Sequence, residues 1–179
     1  MILILGNPGA GKTTQTGLLA EYLNCPWFSM GELIRKNVSG KDRRDMLAGK
    51  IISDDVTLTI VDKTLKDIDT VGFECVFEGN PRSVTQAQWW LHQEAVGRFK
   101  ITGVIHMIAD PRIAEERLVK RGRLDDHDED VIDKRYAEYR RSITPTLDYL
   151  TKNGVKVHEV DANGSINAVA SDIRKVLGV

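Results

Sequence analysis

Residues 6–13 read Gly6-Asn7-Pro8-Gly9-Ala10-Gly11-Lys12-Thr13, and this stretch decides the fold class. It fits the pattern G-x-x-x-x-G-K-[ST], it follows the apolar run 1–5, and it opens a helical pattern over 12–23. The glycines let the backbone curl so that successive N–H groups face an anion, and the helix N-terminus adds partial positive charge. The placement between a strand and a helix therefore predicts a phosphate-binding loop.

Short apolar runs alternate with helical patterns along the rest of the chain. Strands are predicted at 1–5, 26–28, 73–77, 101–108 and 155–160. Helices are predicted at 12–23, 55–68, 84–97, 112–121, 129–152 and 165–177. The polar stretches 36–50 and 121–130 are suited to surface flaps, and solvated faces of other elements are the equal alternative. This alternation predicts an α/β fold with three layers, in which a five-stranded parallel sheet is flanked by helices.

Composition excludes several classes of protein. The 25 Lys and Arg residues nearly balance 26 Asp and Glu, and this net charge of -1 disfavours nucleic acid and acidic membranes as partners. Cys25 and Cys75 have no CxxC or His-rich neighbourhood, which argues against zinc and favours a reducing cytoplasm. The run 1–5 is too short for a signal peptide or a membrane span. We expect one cytoplasmic domain over residues 1–179.

The phosphate-binding loop does not name a reaction, because several enzyme classes use one. Beyond it, the whole chain resembles the adenylate kinase and nucleoside monophosphate kinase family, whose loop reads Gly-x-Pro-Gly-x-Gly-Lys-Gly-Thr-Gln; Thr13 replaces the glycine after the lysine. Five further segments are similar to family motifs: Phe28-Ser29-Met30-Gly31-Glu32-Leu33-Ile34-Arg35, Ala48-Gly49-Lys50-Ile51-Ile52-Ser53-Asp54, Glu78-Gly79-Asn80-Pro81-Arg82 with Gln86, Arg117 and Arg121 with Arg123-Leu124-Asp125-Asp126, and Asp161-Ala162-Asn163-Gly164-Ser165.

The resemblance implies phosphoryl transfer from Mg-ATP to a nucleoside monophosphate. It also implies the strand order 2-3-1-4-5, an acceptor-binding flap over about 29–55, a short lid over about 121–130 without zinc ligands, and a monomer. Alignment of the two nucleotides and neutralisation of phosphate charge are the main requirements of this reaction. Arginine meets the second requirement, because its planar fork binds phosphate in a bidentate manner and keeps its proton.

The resemblance also implies three sets of site residues. The expected ATP contacts are Gly9, Ala10, Gly11, Lys12, Thr13, Thr14, Arg117, Arg121 and Gly164. The expected acceptor contacts are Met30, Arg35, Lys50, Ile51, Ile52, Gly79, Asn80, Pro81, Arg82, Gln86, Arg123 and Arg135. The expected catalytic residues, which act on the transferring group, are Lys12, Arg82, Arg121, Arg123 and Arg135.

Two of these assignments have alternatives in the sequence. Arg117 and Arg121 are four residues apart and share a helix face, where they could instead pair with neighbouring acidic residues. The interval before Arg135 is one residue longer than is usual in the family, which leaves Arg140 and Arg141 as substitutes.

A magnesium site is expected at the end of the strand that carries Glu78. A carboxylate at this position normally orients magnesium-bound water, and Thr13 or Thr14 supplies a hydroxyl ligand. The family usually has Asp where this chain has Glu78, so a purely structural carboxylate is the alternative.

The acceptor base is indicated by Gln86. Its amide both donates and accepts, which matches the edge of adenine, and the resemblance to the family implies AMP as the acceptor. Met30 and Asn80 replace a threonine and an aromatic residue of the family, which leaves UMP or CMP open. A nucleotide-sensing module without catalysis is the alternative from a different class. The set of arginines argues against it, because binding ATP alone needs no cations on the acceptor side.

Overall fold

The computed structural model describes residues 1–67, 74–122 and 129–179 of the chain. The strands in these ranges are β1 (Ile2–Gly6), β2 (Trp27–Ser29), β3 (Val76–Glu78), β4 (Gly103–Ile108) and β5 (Val157–Asp161). The helices are α1 (Lys12–Leu23), α2 (Met30–Asn37), α3 (Gly40–Leu47), α4 (Asp54–Lys66), α5 (Val84–Ala95), α6 (Pro111–Arg121), α7 (Glu129–Lys152) and α8 (Ile166–Leu177). None of these helices has the length and apolar composition that a membrane crossing requires.

The strands form one parallel sheet in the order β2-β3-β1-β4-β5, which confirms the predicted order 2-3-1-4-5. In the register of the sheet Ile4 lies opposite Glu78, and Gly6 lies opposite Met107. The connection after β1 leads to β2 at one side of the sheet, whereas the connection after β3 leads to β4 on the other side of β1, so the strand order reverses between β1 and β3. Ligands of open α/β sheets bind outside the carboxyl ends of the strands at such a point.

Strand β1 is apolar throughout because both of its faces are covered. Successive side chains of a strand point to opposite faces. Leu3 and Leu5 accordingly pack in one buried cluster with Trp90, whereas Ile2 and Ile4 pack in a second cluster on the other face. An unbroken apolar run is the pattern expected for such a strand in a parallel sheet.

Caps fix the starts of the helices that surround the site. The hydroxyl of Ser83 accepts a hydrogen bond of 3.1 Å from the backbone N–H of Gln86. The carboxylate of Asp110 accepts one of 2.9 Å from the backbone N–H of Arg112. Such caps satisfy N–H groups that the helix itself leaves unpaired. Helix α1 begins differently, after Gly11 with a φ of 83°, a conformation that glycine adopts without strain.

The polar stretch 36–50 contains more helix than the sequence predicted. The range 36–50 was expected to be a polar surface flap, but α2 and α3 cover most of it. Helix α3 buries none of its side chains, so its sequence carries no apolar periodicity. Of the second predicted flap, 121–130, residues 123–128 lie outside the described ranges.

Strand β4 offers a matched test of core packing. Ile105→Ala should lower the free energy of unfolding by about 2–5 kcal/mol, because Ile105 is fully buried. Ile108→Ala, on the same strand but 42% exposed, should change it by less than about 0.5 kcal/mol. Denaturant titration of both variants measures the difference, and equal effects would contradict the different burial of Ile105 and Ile108.

Candidate active site

A cavity of about 540 Å³ opens at the carboxyl ends of β1 and β3. Its floor is the turn between β1 and α1, and its walls come from α2, the segment 46–52, α6, α7 and the segment 162–166. Clefts of this size accommodate small organic ligands. The cavity therefore lies where the strand order predicts a ligand site.

Lys12 closes the turn between β1 and α1. Its Nζ donates hydrogen bonds of 2.9 Å to the carbonyl oxygens of Gly6 and Asn7. Enclosure by the surrounding protein lowers the pKa of Lys12 to about 7, and the nearby cations Arg82, Arg135 and Arg121 also lower it, whereas Glu78 raises it. The ammonium group is thus fixed at the loop among other positive charges, an arrangement suited to an anionic ligand.

The charge of the cavity is strongly unbalanced. Among the described residues that line it, seven are cationic and two, Glu78 and Glu138, are acidic. The cationic residues are Lys12, Arg35, Lys50, Arg82, Arg117, Arg121 and Arg135. Because like charges repel and burial weakens their hydration, this concentration favours binding of a highly charged anion.

Two side chains that sequence analysis missed hold the phosphate-binding loop in place. The Oδ1 of Asn7 accepts a hydrogen bond of 2.9 Å from the N–H of Ala109, and its Nδ2 donates one of 3.2 Å to the carbonyl of the same residue. The hydroxyl of Tyr136 donates to the carbonyl of Pro8 at 2.9 Å. Asn7 occupies a variable position of the motif and Tyr136 lies far along the chain, so no sequence pattern marked them.

Thr13 and Glu78 meet at the edge of the loop. The hydroxyl of Thr13 donates to Glu78 Oε2 at 3.3 Å, and Glu78 is buried at the end of β3. Hydroxyl and carboxylate oxygens are the ligands that Mg²⁺ takes in phosphate-binding sites, so these residues fit the predicted ion. Within the described ranges, no three His, Cys, Asp or Glu residues form a group that could hold a metal ion.

One end of the cavity is formed by α6 and the segment 162–166. Arg117 donates hydrogen bonds to the carbonyl oxygens of Ala162 at 2.8 Å and Gly164 at 3.4 Å. Gln15 reaches the same region from α1, because its Nε2 donates to the carbonyl of Ile166 at 2.9 Å. These bonds make the strap of backbone after β5 a fixed wall of the cavity.

The other end carries a second group of cations. Arg35 pairs with Glu32 at 2.6 Å, and Arg82 Nε donates to the carbonyl of Gly79 at 2.7 Å. The exposed Lys50 forms an ion pair with Asp45, with 2.9 Å between Nζ and Oδ1. The cavity therefore has cations at both ends as well as at the loop, which suits two phosphorylated ligands facing each other.

Most of the predicted site residues line this one cavity. They are Gly9, Ala10, Gly11, Lys12, Thr13, Thr14, Arg35, Lys50, Ile51, Ile52, Glu78, Gly79, Pro81, Arg82, Arg117, Arg121, Arg135 and Gly164. Arg123 lies outside the described residues.

Three predicted acceptor contacts are buried behind the cavity wall instead. Met30 is fully buried in the apolar core, Asn80 is 0% exposed and Gln86 is 1% exposed. The amide of Gln86 was expected to face the acceptor base, but it bonds to protein groups on both of its polar atoms. Asn80, which stands where the family has an aromatic residue, is one of these internal partners.

Comparison with known proteins agrees with this geometry. The sequence model of the family described as adenylate kinase matches residues 4–155. The chain belongs to the adenylate kinase family. Its relatives include the adenylate kinase of Mycobacterium tuberculosis, 37% identical over 185 residues, which cover 99% of this chain and 98% of the relative. The adenylate kinase of Corynebacterium urealyticum is 34% identical over 176 residues, covering 94% of each chain, and that of Flavobacterium psychrophilum is 33% identical over 187 residues, covering 98% and 97%.

The hydrogen bonds of Asn7 should contribute measurably to the stability of this adenylate kinase family member and to its affinity for ATP. Asn7→Ala removes both bonds to Ala109 and leaves buried backbone groups unpaired, which should lower the free energy of unfolding by about 1–3 kcal/mol. ATP affinity, measured by calorimetric titration, should fall with it because the loop loses its anchor. The exposed amide of Asn153, which bonds only to a nearby helix carbonyl, provides the control: Asn153→Ala should leave ATP affinity unchanged.

Proposed function

We propose that this chain transfers the γ-phosphoryl group of Mg-ATP reversibly to AMP and forms two molecules of ADP. The observation that carries the proposal is the single cavity with cations at the phosphate-binding loop and at both ends. Nucleoside monophosphate kinase activity follows from membership of the adenylate kinase family. The choice of AMP is supported by the names of the relatives, all of them adenylate kinases.

The donor nucleotide is proposed to bind along the loop. Backbone N–H groups of Gly9, Ala10 and Gly11 and the start of α1, with Thr14, would hold its phosphates. Lys12 would neutralise the negative charge of the phosphates during transfer. Its side chain lines the cavity, and its Nζ is held at the carbonyl oxygens of Gly6 and Asn7. The base would lie against Arg117 and Gly164, where the hydrogen bonds of Arg117 hold the backbone carbonyls of Ala162 and Gly164.

The acceptor is proposed to bind at the opposite end. Arg35 and Arg82 would hold its phosphate in bidentate contacts, and Gly79 and Pro81 would shape the turn beside it. Its base would lie near the segment 50–52, which includes Ile52. Arg121, Arg135 and Arg123 would then surround the group in transfer, where they neutralise its charge.

Magnesium is proposed to bind beside Thr13, with Glu78 acting through a water molecule. The ion would supply charge neutralisation on the transferred phosphate. In this proposal Thr13 supplies a hydroxyl ligand and Glu78 orients a ligand from its buried position. In this proposal the cationic side chains of the protein align the two nucleotides.

The chain is further proposed to act as a single cytoplasmic domain and as a monomer. In this view residues 29–55 form the acceptor flap and residues 121–130 a short lid. The small number of cysteines, Cys25 and Cys75, both unpaired, supports a reducing compartment.

The decisive experiment is a coupled assay of ADP formation with AMP, UMP, CMP, GMP and dTMP as acceptors. We expect AMP to have the highest kcat/KM. Lys12→Ala should lower turnover with AMP by at least about 100-fold, because the ammonium stabilises charge that develops in the transition state. Higher efficiency with CMP or UMP would refute the choice of AMP. ATP binding without turnover on any acceptor would favour a sensing module.

Substitutions at the two ends of the cavity should change the KM values of different substrates. Arg82→Ala should raise the KM for AMP by about tenfold or more and leave the KM for ATP nearly unchanged, because a bidentate phosphate contact is lost on one side. Arg117→Ala, the matched change at the other end, should affect ATP first. Steady-state kinetics with each substrate varied in turn measure both constants. The reverse pattern would require that the donor and acceptor ends be exchanged.

A further inference from the structure

A buried histidine that the proposed reaction does not use lies beside the floor of the cavity. His106 belongs to β4, is 6% exposed, and lies opposite Leu5, the last residue before the phosphate-binding loop. Its Nε2 is 2.6 Å from the hydroxyl of Tyr139 on α7. Its Nδ1 is 3.5 Å from Oε1 of Glu159 on the neighbouring strand β5. The imidazole therefore connects β4 to α7 and faces a carboxylate on its other side.

These surroundings select one tautomer of His106. A neutral imidazole has one N–H donor and one nitrogen that accepts. Because the carboxylate of Glu159 only accepts, the proton of the imidazole belongs on Nδ1, which faces it. Nε2 is then the acceptor, and the hydroxyl of Tyr139 donates to it. Burial raises the pKa of Tyr139, so this hydroxyl keeps its proton.

The groups around His106 keep its imidazole neutral at neutral pH. Burial lowers the pKa of His106, the carboxylate of Glu159 opposes this shift, and the ammonium of Lys12 adds to it. The imidazole therefore takes up a proton only as the pH falls below the ordinary histidine value of about 6.5. That proton binds to Nε2, which can then no longer accept, and the hydroxyl of Tyr139 has to turn its own proton elsewhere. Acid thus removes the bond from α7 to β4.

Tyr139 connects this histidine to a cation of the cavity. Arg135 precedes it by four residues on α7, so the two side chains lie on one face of the helix, and both line the cavity. The residue after Arg135 is held independently, because Tyr136 donates to the carbonyl of Pro8. Two hydrogen bonds therefore hold α7 beside Arg135, one at the phosphate-binding loop and one at His106.

We propose that His106 is a positioning residue: through Tyr139 it fixes the turn of α7 that carries Arg135, and it does so only while its imidazole is neutral. This inference rests on the proposed function, since it concerns the transfer step of that reaction. A buried hydroxyl that loses its acceptor is destabilised, so protonation of His106 displaces Tyr139 and, with it, Arg135. A small displacement of a group that aligns the reactants lowers turnover strongly.

The pH dependence of kcat tests this role in the complex with both nucleotides bound, because kcat reports the groups that titrate in that complex. It is measured between about pH 5 and 8 with ATP and AMP saturating. We expect the parent to lose about tenfold or more at the acid end. His106→Gln keeps an acceptor oxygen near the position of Nε2 and does not titrate, so it should stay within about threefold of the parent at about pH 8 and lack this acid loss.

A second histidine provides the control for this profile. The nucleotide phosphates also titrate near about pH 6, but they do so equally in every variant, so the difference between the parent and His106→Gln isolates the imidazole. His92 is exposed on α5. His92→Gln should therefore keep the acid loss of the parent.

A double-mutant cycle tests whether Tyr139 acts through His106. His106→Leu and Tyr139→Phe should each lower kcat at about pH 8 by roughly 5- to 50-fold and leave the KM for ATP within about twofold. The double variant should be no slower than the slower single variant, because both changes remove the same hydrogen bond. A hydroxyl of Tyr139 that acts directly on a nucleotide would instead give effects that multiply.

Three results would overturn the positioning role: an acid loss in His106→Gln equal to that of the parent, a His106→Gln variant as slow as His106→Leu, or multiplying effects in the cycle. If His106→Gln does not fold, as judged by its thermal transition, Tyr139→Phe replaces it in the pH profile, since it has no bond left to lose and should show no acid loss. A parent that forms no ADP from ATP and AMP refutes the proposed function itself, whereas an active parent with any of these results refutes only this inference.

Discussion

The turn between β1 and α1 is the constraint on which the rest of the site depends. Lys12 bonds back to the carbonyls of Gly6 and Asn7, and the Asn7 side chain bonds to the backbone of Ala109 beyond β4. The strand beneath is buried on both faces, so the turn cannot shift without disturbing the core. A flexible glycine-rich stretch is thereby converted into a fixed set of N–H donors, and the walls of the cavity are positioned relative to it.

Among the described residues that line the cavity, seven are cationic and two are acidic. Burial is the main cause that lowers the pKa of Lys12, and the neighbouring cations Arg82, Arg135 and Arg121 lower it further. Proteins tolerate such arrangements where a ligand supplies the missing charge. The electrostatics thus connect the fold to the proposed phosphoryl transfer: the cations that repel one another in the cavity are those proposed to neutralise the transferring phosphate.

Residues behind the cavity also contribute to its geometry. Gln86 connects α5 to the N-terminus of α4 through Asp54 and to the turn of Arg82 through its carbonyl oxygen. Trp90 closes the arrangement from the core side, where it packs against Phe77 and Phe99. Buried polar groups require specific partners, because water cannot replace a hydrogen bond that is lost there. The replacement of an aromatic residue by Asn80 is therefore compensated within the same cluster.

The sequence alone determined the fold class, the strand order through the family resemblance, and most residues of the cavity. The motif at 6–13, which contains Lys12, and the apolar strand periodicity are local patterns that the sequence shows by itself. Arg82 and Arg117 were predicted from the resemblance to the family. Only the tertiary structure decided the helix α3, the anchors Asn7 and Tyr136, and the internal orientation of Gln86. These depend on partners distant in the chain: which neighbour a side chain meets is fixed by packing, and an amide offers the same atoms to a nucleotide base as to Asp54.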